Sequence, residues 1–180
     1  MEITQQVRRV AITSVALAFC AGAVMAPSAV AQTRSVPKCT ASDLSAKETA
    51  ENAGMSQPAS LITLTNISGR SCSLKGYATI TEARTKKGPQ EFTAGPGLLE
   101  NAPNPKPKRV VLKDGDKAFF GVGTATAYDP PLVNFTRLTF SLVKGGDTLT
   151  VKVGLPATAP KGKPFPLGVS AFAPGVGQQG

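Results

Sequence analysis

Short runs of Thr, Val, Leu and Phe recur about every ten residues along this chain, each closed by Gly, Pro, Asn or Asp. Beyond the first thirty or so residues, no stretch holds an apolar period of 3.6 residues. That spacing restricts the chain to an all-β architecture, a sandwich or a barrel. It predicts strands over Ala41–Ala50, Ala59–Ile67, Leu74–Thr81, Arg109–Leu112, Lys117–Thr124, Phe135–Val143, Asp147–Val153 and Leu167–Phe172. Within the seventh, Leu149, Val151 and Val153 alternate with Thr148, Thr150 and Lys152, giving one dry and one wet face.

Two joins carry their own turn chemistry. Gly145-Gly146 stands between two strands as a tight hairpin, since both glycines accept positive φ. Lys113-Asp114-Gly115-Asp116 forms the second turn. The Asp pair also resembles half of a calcium loop, but the spaced ligands that complete such a loop are missing, and Asp-Gly is ordinary turn chemistry. Proline punctuates Ala94–Lys108 and Leu155–Pro166, which read as long loops.

The amino terminus has a different character. Arg8 and Arg9 precede an apolar run from Val10 to Ala26, and Ala29-Val30-Ala31 precedes Gln32. A charged start, a short apolar stretch and a small-x-small site make a secretory signal peptide over residues 1–31, cut between Ala31 and Gln32. As a membrane anchor the run is short and is softened by Thr13 and Ser14. Leu17-Ala18-Phe19-Cys20 raises lipid anchoring through Cys20 as a competing reading. Bulky Phe19 and the position of Cys20 in mid-run favour its loss with the cleaved segment. Residues 32–38 then form a flexible lead, 39–175 the β domain and 176–180 a disordered tail, with the protein secreted or on the exterior of the cell envelope.

Cleavage removes 31 of 180 residues and leaves 149, one domain of ordinary size. It also leaves two cysteines, Cys39 and Cys72, which an oxidising compartment joins as a disulfide. If the first two strands pair antiparallel, that bridge pins the open end of their hairpin.

The most excluding count is zero histidines. Imidazole-dependent triads and histidine-ligated metal sites are ruled out, and bridged cysteines supply no nucleophile. The mature chain is therefore expected to be non-catalytic, without cofactor or metal. The competing enzyme reading is a carboxylate-based hydrolase of envelope polymers, which needs two acids converging across a cleft. A purely structural envelope protein is the third possibility.

Losing Arg8, Arg9 and Glu2 leaves 18 basic and 10 acidic side chains, a net charge of +8 that favours anionic surroundings. Partners compatible with it are an anionic envelope polymer, a lipid surface or another envelope protein. No nucleic acid is expected, because a chain without Trp and with two Tyr is poorly supplied for base stacking. Lys106, Lys108, Arg109, Lys113 and Lys117 form the densest basic stretch and are the candidate anion-binding edge. The plainer account of them is gatekeeping charge on an exposed edge strand. Asn66-Ile67-Ser68 and Asn134-Phe135-Thr136 match the N-glycosylation acceptor.

Cys39 with Ser42-Asp43-Leu44, then Leu64-Thr65-Asn66-Ile67-Ser68-Gly69 and Cys72-Ser73-Leu74-Lys75-Gly76-Tyr77, resembles domain of unknown function 4232. That family comprises exported actinobacterial proteins and lipoproteins. The Leu112…Gly115…Ala118 turn and the ending Val169–Gly175 are similar to the family's own. Ala78 and Asp114 stand where members often carry proline, and a second cysteine pair and a tryptophan common in the family are missing. The resemblance implies an immunoglobulin-like antiparallel β-sandwich and carries over no catalytic or ligand residue.

Overall fold

Alternation of apolar and polar residues builds two sheets whose dry faces meet. The computed structural model describes residues 35–54, 57–97, 106–124, 132–159 and 161–175. The expected signal segment, Cys20, the Ala31/Gln32 junction and the tail 176–180 lie outside the described residues.

The larger sheet contains β1 (Leu44–Gly54), β2 (Gln57–Asn66), β6 (Phe92–Pro96), β8 (Lys117–Thr124), β11 (Phe165–Val169) and β12 (Ala173–Pro174). Its order is β1-β2-β8-β11-β6, with β12 also on β8. The second sheet runs β10-β9-β4-β5, formed by β4 (Thr79–Thr85), β5 (Gly88–Pro89), β9 (Leu132–Ser141) and β10 (Thr148–Thr158). A small third sheet pairs β3 (Cys72–Leu74) with β7 (Val110–Leu112). The fold is all-β and largely antiparallel; β11 and β6 run parallel.

The inner faces interlock through aromatic rings. Phe120 of β8 meets Phe140 of β9 edge-on with centroids 5.0 Å apart, and Phe172 reaches Phe120 at 5.6 Å. Phe135 of β9 meets Phe165 of β11 at 5.4 Å, again edge-on. Such pairs add specific geometry to the apolar area they bury. The alternation foreseen in β10 is present: Val151 and Val153 are buried, and Thr148, Thr150 and Lys152 are exposed. β10 then bulges after Lys152, and the Glu48 carboxylate of β1 accepts from the Gly154 N–H at 3.1 Å. One ion-capable side chain thus satisfies an irregular strand of the facing sheet.

Several expected boundaries move. The stretch Leu74–Thr81 is two strands, because Gly76 at φ 101° turns the chain from the small sheet into the second sheet. At the β9–β10 hairpin only Gly145 takes positive φ. Gly146 is favoured for a different reason, since a Cβ there would lie 2.8 Å from Val143 Cγ2 and that side chain would have to shift. The expected proline loops are shorter than the prolines imply. Ala94–Pro96 belong to β6, Leu155–Thr158 prolong β10, and Phe165–Pro166 open β11. Pro156 is tolerated because β10 is the edge of its sheet, where a missing N–H breaks no central ladder.

The first expected strand begins instead with a 3-10 turn, Ala41–Asp43, ahead of β1. The buried Asp43 carboxylate fastens it, accepting from the Thr40 N–H at 2.7 Å, the Thr40 hydroxyl at 2.8 Å and the Arg70 guanidinium at 2.8 Å. The Thr40 N–H foremost, then its hydroxyl and Arg70, hold the Asp43 carboxyl below the usual carboxylate range, against burial that pushes it up. A lowered folded-state pKa gives stability that is present above the unfolded value and fades as pH falls through the folded one. Asp43→Asn should therefore lower stability by about 1–2 kcal/mol at pH 7 and flatten its decline below about pH 4, measured by urea unfolding across pH.

Candidate anion-binding groove

The disulfide organises one end of the molecule. Cys39 and Cys72 are bridged with Cα atoms 4.9 Å apart. Leu44 pairs Asn66 in the β1–β2 ladder, so the bridge lies at the open end of that hairpin, as its sequence position indicates. The bridge also draws the lead segment into the small sheet. Cys39 donates its N–H to Ser73 O at 3.0 Å, and Ser73 donates to Pro37 O at 2.8 Å. Part of the segment expected to be flexible, Pro37 and Lys38, thus lies as a third row beside β3, bridged in parallel at Lys38 and Ser73.

This three-row ribbon sets positive charges side by side. Leu74 pairs Val110, which places Lys75 and Arg109 at neighbouring ends of β3 and β7, while Lys38 lies across β3. Arg109 is fixed there, donating from Nη2 to Val36 O at 2.6 Å. Lys38, Lys75 and Arg109 line one groove of about 470 Å³. Its apolar wall comes from Val36, Pro37 and Leu74 of the ribbon and from Leu142 and Val143 at the end of β9. Among the described residues, no carboxylate lines it. In that setting three neighbouring cations, of which Arg109 is anchored, raise the local concentration of anions.

The candidate edge is therefore divided. Arg109 lies in the groove, and Lys106 and Lys108 are exposed just before it. Lys113 falls beyond the other end of β7, about 13 Å from Arg109 along an extended chain, and Lys117 opens β8 after the intervening turn. There the acids are already engaged: Asp116 accepts from the Lys113 N–H at 2.8 Å and Asp114 from the Gly69 N–H at 2.9 Å. Asp114-Gly115-Asp116 is thus a turn whose carboxylates bind backbone. Lys38 and Lys75, absent from the sequence-based edge, join Arg109 only through strand register across the disulfide. No local sequence signal pointed to Lys38 or Lys75, because the pairings that bring them to Arg109 are non-local.

Asn66 has a structural role in place of a glycan. It is buried, and its Nδ2 donates to Arg70 O at 2.7 Å and to Leu112 O at 3.0 Å. Its Oδ1 accepts from the Ser68 N–H at 3.0 Å and the Ser68 hydroxyl at 2.8 Å. A sugar on that nitrogen is incompatible with this packing. Asn134 is exposed, beside a shallower groove lined by Thr85, Lys86, Lys87 and Leu132. Neither that groove nor a third near Tyr77 and Phe92 is lined by a carboxylate among the described residues.

The sequence matches a domain of unknown function (DUF4232) over residues 39–173, which takes in every strand from β1 to β11. None of the curated proteins and none of the solved structures matches the chain. Cys39, Cys72 and the whole Leu64–Tyr77 segment fall inside the matched region, and the chain belongs to the DUF4232 family.

Proposed function

We propose that the protein is exported by removal of residues 1–31 and works at the cell envelope or outside it as a non-catalytic binding module for anionic ligands. The observation that carries this reading is the meeting of Lys38, Lys75 and Arg109 in one groove with no carboxylate among its described lining. The disulfide supports an oxidising compartment. Among the described residues, no helix is long and apolar enough to cross a membrane. Against hydrolysis, Asp43, Glu48, Asp114 and Asp116 already bind backbone or arginine, and Glu82 pairs Arg84 at 2.7 Å.

Phosphatidylglycerol vesicles and polyphosphate chains test the charge requirement. Binding should weaken roughly a hundredfold between about 50 and 500 mM salt, as expected when about three cations displace counterions. Lys75→Glu should weaken it at least tenfold, while the pair Lys113→Glu with Lys117→Glu should change it less than threefold. Binding that ignores salt and Lys75 would overturn the reading.

A further inference from the structure

The three cations account for only part of the groove's lining. Leu74 and Leu142 form its buried floor, and Val143 stands 49% exposed at the lip. A hydrated polymer such as polyphosphate would satisfy Lys38, Lys75 and Arg109 but would leave that wall wet. Val143 is held at this position by the hairpin, where Gly146 lies against its side chain and donates to its carbonyl at 3.0 Å. The second sheet thus supplies an apolar flank to a cationic ribbon belonging to the third.

We propose that the groove's ligand is an anionic amphiphile, a single phosphate or carboxylate headgroup on an alkyl chain. The headgroup is held by Lys38, Lys75 and Arg109, and the chain lies against Leu74, Leu142 and Val143. Arg109 is suited to the headgroup because its fork is anchored on Val36 O and needs little ordering on binding. Burial of each methylene multiplies affinity about fourfold, so chain length discriminates amphiphile from simple anion. This inference rests on the anion-binding reading and adds the apolar half of the ligand to it.

Isothermal titration of the mature protein with inorganic phosphate, octyl phosphate and octanoate, all below their micellar concentrations, separates the two. Octyl phosphate or octanoate should bind at least tenfold more tightly than inorganic phosphate, and the stronger of the two identifies the headgroup. Lys75→Glu should weaken that ligand at least tenfold. Val143→Ser, at an exposed position and so compatible with folding, should weaken it several-fold more than it weakens inorganic phosphate. Failure of both octyl phosphate and octanoate to bind more tightly than inorganic phosphate would overturn the amphiphile while leaving anion binding in place. No binding by any of the three ligands, together with none by the anionic vesicles, would remove both.

Discussion

Replacing Cys39 and Cys72 together by alanine should lower the unfolding free energy by about 3–4 kcal/mol. The bridge closes a loop with a sequence separation of 33, and cutting it enlarges the unfolded ensemble accordingly. Native contacts suffer as well, because Pro37 and Lys38 lose the covalent tie that holds them beside Ser73. Urea unfolding of the oxidised wild type and the double variant measures the difference. A loss under about 1 kcal/mol would show that the ribbon holds without its staple. Reduction of the wild type should reproduce the variant's midpoint and weaken anion binding at the groove.

The next largest effect is expected at Asn66, where alanine should cost about 3 kcal/mol. The side chain makes four hydrogen bonds, joining the end of β2 to the Arg70 turn and to Leu112 of β7. The backbone completes the junction: Asn66 donates to Asp116 O at 2.9 Å, and its own carbonyl accepts from Gly115 at 2.8 Å. Truncation leaves buried carbonyls without a donor, which costs more than the bonds contribute net. Asn66→Asp serves as the control. It keeps the shape but cannot donate, so it should be at least as damaging as alanine at pH 7. A cost under about 1 kcal/mol for both would mean that the larger and the small sheet are joined elsewhere. Mass spectrometry of the protein isolated from its host should accordingly find Asn66 unmodified, since its amide is spent.

Asn66 also shows what the sequence makes legible and what it hides. Short apolar alternation is enough to identify β2, β8, β9 and the first half of β10, because burial on one sheet face imposes a two-residue period. Proline misleads at Pro96, Pro156 and Pro166, where edge positions or strand ends absorb the missing N–H. Gly76 appears from sequence as an ordinary member of a strand, and only its φ of 101° reveals the crossing between sheets. The disulfide was legible because, of the three cysteines, Cys20 sits in the expected signal segment and the other two admit a single pairing. The triplet at Asn66 matched a glycosylation pattern because that pattern is local, whereas the partners of Asn66 include a carbonyl 46 positions away.

The candidate groove was half legible for the same reason. Counting charge along the chain finds Lys106–Lys117, yet β7 divides that run between a groove and a saturated turn. Register gathers Lys38, Lys75 and Arg109, which are far apart in sequence, and no composition window holds all three. The apolar side of the groove comes from a third region, Leu142 and Val143, brought in by the β9–β10 hairpin.

The most direct test is an amide NMR titration of residues 32–180 with the stronger-binding of octyl phosphate and octanoate, following every assigned backbone signal. The expected shifts concentrate on Ser35–Cys39, Ser73–Lys75, Arg109 and Leu142–Val143, and saturate with one ligand per chain. Shifts centred on Lys113 and Lys117, or spread evenly over the basic surface, would contradict a site built by the disulfide-tethered ribbon.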